Sequence, residues 1–183
     1  MKKYLEIKTD YEPKITGKRD GDSAVKQKFE TKEKEDEFED FFYDIYENRS
    51  KISLENFQIF DIQLDAPITY IPKTKSIKKL DFMSYGRYQF GLDYLVSERV
   101  ITILEKYKLP AVYHKLPAQI ETFEEKYYLI GFPMISDEEC DFDIINRTDG
   151  CFFAEEIIKE FEKEQITGYK IGKKGNVPNV LLK

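Results

Sequence analysis

The sequence predicts an α+β fold, a small, mixed, mainly antiparallel sheet with helices packed on it. Three observations carry that expectation. Strand-like segments crowd the middle of the chain without the regular βαβα alternation of a doubly wound sheet. Two amphipathic helical stretches are each followed by a turn and a strand, and they align without gaps, Val96 on Phe153 and Val112 on Tyr169. A further helical stretch near the N-terminus sets aromatic residues at helical spacing with carboxylates between them. With 183 residues and 41% apolar content the chain supports one well-buried core. Residues 1–183 are therefore read as a single domain: an N-terminal part to residue 89, a second part over 90–172 and a tail over 173–183.

Residues 2–8 alternate loosely and predict a first strand, with Tyr4 on one face and Leu5 and Ile7 on the other. Residues 10–31 are polar and punctuated by Pro13, Gly17 and Gly21, which predicts a long loop. In the next segment Phe38, Phe41, Phe42, Ile45 and Tyr46 recur at steps of three, four, seven and eight, which places them on the inward face of one helix. "FQIFDIQL" (57–64) and "ITYI" (68–71) read as strands. "QIETF" and "YYLIGF" flank a polar connection of hairpin length at 124–126, and further strands are expected around 142–145 and 168–172.

The repeated unit reads as short strand, helix, turn, strand. In the first copy Ser97 is placed to cap a helix whose Val100, Ile103, Leu104 and Tyr107 form one apolar stripe; Pro110 stops it and "AVYHKL" leaves as a strand. In the second, Phe152 and Phe153 lead in, Ile157, Ile158 and Phe161 carry the stripe, and Gly168 stands where a left-handed residue ends a helix or turns the chain. Two copies are too few for a solenoid and predict a pair of equivalent packing units on one sheet.

Charge narrows the function classes. The net charge is −6, yet Glu33 to Glu47 alone holds eight acidic residues and one lysine, so the remainder is near neutral. That argues against general nucleic-acid binding and leaves a localised acidic surface to be explained. The lysines at 73, 75, 78 and 79, and at 170, 173 and 174, are short runs of the kind found on solvated loops. No apolar run is long enough to span a membrane and none of signal-peptide length follows the first lysines, so residence in the cytosol is expected.

Catalytic and ligand-binding patterns are sparse. His114 is the only histidine, which rules out multi-histidine metal sites and leaves little for general base catalysis. Cys140 and Cys151 form no C-x-x-C pair and sit in no nucleophile motif, so they read as ordinary thiols and a Cys–His pair with His114 is not expected. "GYKIGKKG" has three residues rather than four between its first glycines, lacks the Ser or Thr of a phosphate loop and follows a helix instead of preceding one. Asp137, Glu138, Glu139, Asp141 and Asp143 are the densest carboxylate cluster outside the acidic helix. An EF-hand would need glycine where Asn146 stands, so a solvated loop is the expectation, with no metal or cofactor.

The pattern "LVSERVITILEKYKLPAVYHKLPAQI", followed by "KYYLIGFPMISDEECDFD" and "CFFAEEIIKEFEKEQITGYKI", resembles a family of bacterial immunity proteins. These are cytosolic inhibitors encoded beside polymorphic, contact-delivered or secreted toxins. The matching features are the Val96-Ser97-Glu98 helix entry, the Leu104-Glu105-Lys106 helix end, Pro117-Ala118, Tyr127-Tyr128-Leu129, Asp141-Phe142-Asp143 and the run from Phe153 to Gly168. The resemblance covers roughly residues 90–172 and consists mostly of packing residues. It implies a protein that binds and silences one toxin without catalysing a reaction.

The acidic helix then becomes the expected recognition surface. Its outward Asp36, Glu37, Glu39, Asp40 and Asp44 are suited to steer association with a basic partner, and nuclease toxins are one class with basic, phosphate-binding clefts. Two other readings stand beside this one. The first is a small enzyme or ligand-binding domain with a carboxylate-lined pocket around Asp137 to Asp143; the second is a general interaction module with no toxin partner.

Overall fold

Twice in this chain a strand runs straight into a helix with no loop between them. Tyr94–Ser97 (β5) continues as Glu98–Leu104 (α3), and Gly150–Ala154 (β9) continues as Glu155–Lys163 (α4). The computed structural model describes residues 2–19, 21–47, 68–86, 92–110, 113–135, 141–147 and 149–172. The other elements are β1 (Tyr4–Thr9), α1 (Pro13–Thr16), β2 (Val25–Gln27), α2 (Lys32–Glu47), β3 (Ile68–Pro72) and β4 (Phe82–Met83). After α3 come β6 (His114–Ile120), β7 (Tyr127–Gly131) and β8 (Ile144–Arg147), and after α4 comes β10 (Tyr169–Ile171).

The fold is α+β, as expected, but the strands form two sheets. The smaller is antiparallel, in the order β10-β1-β9-β8; the larger runs β2-β3-β6-β7-β5-β4, with β3 and β6 parallel and the other described strand pairs antiparallel. The two repeated units therefore lie on different sheets, not on one. Their helices α3 and α4 pack against each other. One core fills the space around them: Val100, Leu104, Ile157 and Phe161 from the helices meet Phe82, Tyr94 and Phe153 from the strands. Phe82 of the larger sheet meets Tyr94 edge-on at 5.5 Å and Phe161 of α4 at 5.7 Å, so each unit's apolar face is closed by the other.

A second core covers the opposite face of the larger sheet. Met83, Leu95, Ile120 and Leu129 meet Val25, Ile68 and Tyr70 there, with Phe38 of α2. Burial on both faces explains why β5 reads Tyr94-Leu95-Val96 with no polar alternation; all three are buried.

Several local expectations change in this context. Residues 10–31 are not one long loop, because α1 and β2 lie within them. Pro13 begins α1, and Gly17 ends it at φ +81°, pressed so close to the Ser76 carbonyl that a side chain would collide. The Lys78 backbone N–H then donates to the Thr16 carbonyl at 2.9 Å, and its ammonium to the Lys14 carbonyl at 2.7 Å. A single helical turn is marginal alone, and these distant donors hold it.

Ser97 stands at the start of α3, but its hydroxyl does not cap the helix. It donates instead to Asp81 at 2.7 Å. The helix ends at Leu104, before Tyr107 and well short of Pro110. The two strands expected on either side of Pro117 are one strand, β6. Within it Pro117 stands opposite Tyr128 of β7, one residue before Ala118, which pairs with Ile68 of β3. Gly168 has φ +86° at the turn before β10, as its place in the sequence predicts. The strand expected at 57–64 lies outside the described residues.

Candidate functional site

The acidic helix begins at a polar cap. Thr31 accepts a hydrogen bond on its hydroxyl from the Lys34 backbone N–H at 3.2 Å, and Glu33 and Glu35 occupy the first turn, where the helix dipole favours negative charge. Phe38 anchors the helix. It is buried, and its ring meets Phe29 edge-on at 5.2 Å on the outer face of the larger sheet. Of the other expected inward residues, Phe41, Phe42, Ile45 and Tyr46 lie outside the side chains described, as does Asp44. Tyr43, in the same stretch, is 63% exposed.

Asp36, Glu37, Glu39 and Asp40 are all exposed, as their positions opposite Phe38 require. Their ion pairing differs. Lys32 reaches Asp36 at 2.8 Å and Glu35 at 3.2 Å, and Lys34 reaches back to Glu30 at 3.0 Å. Glu33, Glu37 and Asp40 have no ion pair among the described residues. They follow one another at steps of four and three, so they share a face, with axial separations of about 6 Å and 4.5 Å.

The second carboxylate cluster is different in kind. Asp141 meets the Lys108 ammonium, whose hydrogen bond and charge hold its carboxyl below the usual range. Asp143 pairs with Lys2 at 3.0 Å and accepts the Lys108 backbone N–H at 2.7 Å. Those two carboxylates fasten the end of the α3 turn and the N-terminus to the smaller sheet. Asp137, Glu138, Glu139 and Cys140 lie outside the described residues. Among the described residues no group of three or more His, Cys, Asp and Glu side chains is placed to hold a metal.

The lysines around 73–79 also do structural work. Lys73 pairs with Asp22 at 2.7 Å, Lys79 with Glu125 at 3.1 Å, and Lys78 serves α1. Cys151 lies buried on β9, and burial first, then the charge of Asp93, pushes its thiol well up. That is the reverse of what a nucleophilic cysteine needs.

Two polar sites were not foreseen. A cleft of about 470 Å³ opens beside the start of α3, lined by Lys79, Asp81, Ser97, Arg99, Lys126 and Tyr127 among others. The buried Asp81 accepts from Ser97, from the Thr167 backbone N–H and hydroxyl at 3.0 Å each, and from Arg99 at 3.2 Å. Lys79 meets Glu125, and Lys126 meets Glu98 at 3.6 Å, so the charges of this cleft satisfy one another. It is a joint between the two units.

The second unforeseen site is Asp93, at the entrance to β5. Its carboxylate is enclosed although the residue as a whole is only partly buried, and it accepts the Phe132 backbone N–H at 2.8 Å. Burial pushes it up to about 7. The signal for both aspartates was present as an acidic residue inside an apolar run, Leu80-Asp81-Phe82-Met83 and Leu92-Asp93-Tyr94-Leu95. Such a residue is either a solvated interruption or a buried partner, and only contacts from elsewhere distinguish the two.

No helix among the described residues is long and apolar enough to cross a membrane. No protein-family model matches the chain, and no curated protein matches it.

Proposed function

We propose that the protein is a cytoplasmic immunity protein that neutralises a cognate toxin by stoichiometric binding, with the outer face of α2 as its docking surface. The observation that supports this most is the contrast in pairing. The described carboxylates of the Asp137–Asp143 cluster and of the cleft are bound to cations or backbone donors, whereas Glu33, Glu37 and Asp40 stand exposed on one face without a described ion pair. An uncompensated row of charge raises the association rate of a basic partner and selects against acidic ones. A basic nuclease, whose cleft binds phosphates, has the matching chemistry. The resemblance of residues 90–172 to immunity proteins supplies the toxin as the partner class.

The test is a pull-down from lysate of the native organism, comparing the wild type with a Glu37→Lys, Asp40→Lys, Asp44→Lys variant and identifying bound proteins by mass spectrometry. A single dominant basic partner, lost in the variant, is the expected result. A partner held equally by both proteins moves the interface off α2. No partner under toxin-expressing conditions overturns the reading and turns attention to the carboxylate cluster, through a metabolite and metal thermal-shift screen.

A further inference from the structure

The likeness between the two units extends past the strand–helix pair, and it extends through a strand from the other end of the chain. In the larger sheet β4 lies beside β5, then β7, then β6; in the smaller, β8 lies beside β9, then β1, then β10. All six of these neighbour relations are antiparallel. Their registers also correspond. Val96 faces Phe82 on one side and Tyr128 on the other, and its counterpart Phe153 faces Ile144 and Leu5. In the first unit the third strand of this order, β7, follows β6 through a hairpin. In the second it is β1, the first strand of the chain.

Hydrogen bonds outside the ladders repeat as well. The first N–H of α3, from Glu98, donates to the Lys126 carbonyl at 2.9 Å, and the first N–H of α4, from Glu155, donates to the Lys3 carbonyl at 2.8 Å. One residue earlier, Ser97 N–H donates to the Asp81 carbonyl and Ala154 N–H to the Asp143 carbonyl, both at 2.8 Å. The Tyr127 hydroxyl donates to the Leu80 carbonyl at 2.9 Å, and the Tyr4 hydroxyl to the Phe142 carbonyl at 2.7 Å. Sheet geometry does not dictate that last pair. It requires a tyrosine at one position of the third strand and a carbonyl one residue before an aspartate, and both units supply them. The strands themselves read Lys126-Tyr127-Tyr128-Leu129-Ile130 and Lys3-Tyr4-Leu5-Glu6-Ile7.

We propose that the chain is a circularly permuted internal duplication, in which β1 is the closing strand of the second ββαββ unit and residues 10–79 are an addition carried by the first. The second unit is then complete in space and split in sequence. Tyr4 and Ile7 must find Ala154 and Ile171 across about 150 residues or more, whereas Tyr127 and Ile130 meet β6 through a hairpin. Loop closure over the longer span slows the formation of the smaller sheet relative to the larger. The binding role assigned to α2 plays no part in this inference.

Two permutants of the full chain test it, both joining Lys183 to Met1 through a short Gly-Ser linker. The first opens the chain between Asp10 and Tyr11, which makes both units contiguous. The second opens it between Glu124 and Glu125, which splits the first unit as the native order splits the second. The first permutant is expected to keep the native near-ultraviolet spectrum, to melt within a few degrees of the wild type and to refold several-fold faster. The second is expected to be the less stable of the two and to show no such acceleration. A first permutant that refolds no faster than the wild type, or that is less stable than the second, overturns the proposal.

Discussion

Asn146 donates its side-chain amide to both oxygens of Asp93, at 3.3 Å each, across the seam between the two sheets. The same amide reaches the Phe132 carbonyl at 2.8 Å, so one side chain ties the entrance of β5, the exit of β7 and the middle of β8 together. No ion pair to Asp93 exists among the described residues, and burial outweighs these hydrogen bonds in setting its protonation.

The pH dependence of stability follows from that balance. The folded-state value of about 7 lies above the ordinary carboxyl value, so between the two the folded protein holds a proton that the unfolded chain has lost. The stabilisation is present at low pH and is lost as pH rises toward 7. Asp93→Asn removes this contribution. Urea unfolding at pH 5 and pH 8 is expected to show the wild type losing roughly 2–3 kcal/mol more than the variant over that interval. Equal losses would show that the carboxylate titrates normally.

Asp81 and Arg99 form an ion pair whose halves differ in burial, 7% exposed for the carboxylate and 58% for the guanidinium. Asp81→Ala strands the Ser97 hydroxyl and the Thr167 N–H and is expected to cost about 2–4 kcal/mol. Arg99→Ala removes only the exposed partner and is expected to cost about 1 kcal/mol or less. Chemical denaturation of the two variants side by side checks the asymmetry, and a reversed order would contradict it.

The Tyr70 hydroxyl is buried and has no hydrogen-bond partner among the described residues. Burial alone raises its pKa. Tyr70→Phe retains the edge-on contact with the Tyr85 ring, 6.1 Å away, and removes an unsatisfied donor. It is expected to leave stability unchanged or raise it by about 1 kcal/mol, read from the urea midpoint. A loss of more than that would reveal a partner for the hydroxyl.

On α2, Glu37→Lys with Asp40→Lys changes exposed side chains and is expected to shift stability by less than about 0.5 kcal/mol. Phe38→Ala, by contrast, removes the helix's buried anchor and is expected to cost about 3 kcal/mol. Binding of the proposed basic partner is expected to weaken steeply as NaCl is raised from about 50 mM to about 500 mM, because exposed charges are screened over that range. Titration calorimetry at the two salt concentrations reads this directly, and an affinity indifferent to salt would exclude the acidic face as the docking surface.

Much of the chain was legible because its signals are local. The helical stripes of Val100, Ile103 and Leu104 and of Ile157, Ile158 and Phe161, the left-handed turn at Gly168 and the hairpin before Tyr127 all depend on residues within a few positions of one another. So does the concentration of negative charge on one helix. The likeness of the two strand–helix units was visible for the same reason.

What the sequence alone determined is thus which segments are strand or helix over most of the described chain, and where the charge lies. The tertiary structure decided their partners. Nothing local in Tyr4–Thr9 says that it enters the smaller sheet between β9 and β10, since its pairing residues lie at the far end of the chain. Ser97 had the sequence of a helix cap, but its hydroxyl is turned to the buried Asp81 carboxylate just before β4, to which it donates. The turn of helix at Pro13–Thr16 has a related cause. Donors from residue 78 sustain it. Periodicity records which face of a segment is apolar; only closure of the chain over long separations decides what that face, and each polar group beside it, will meet.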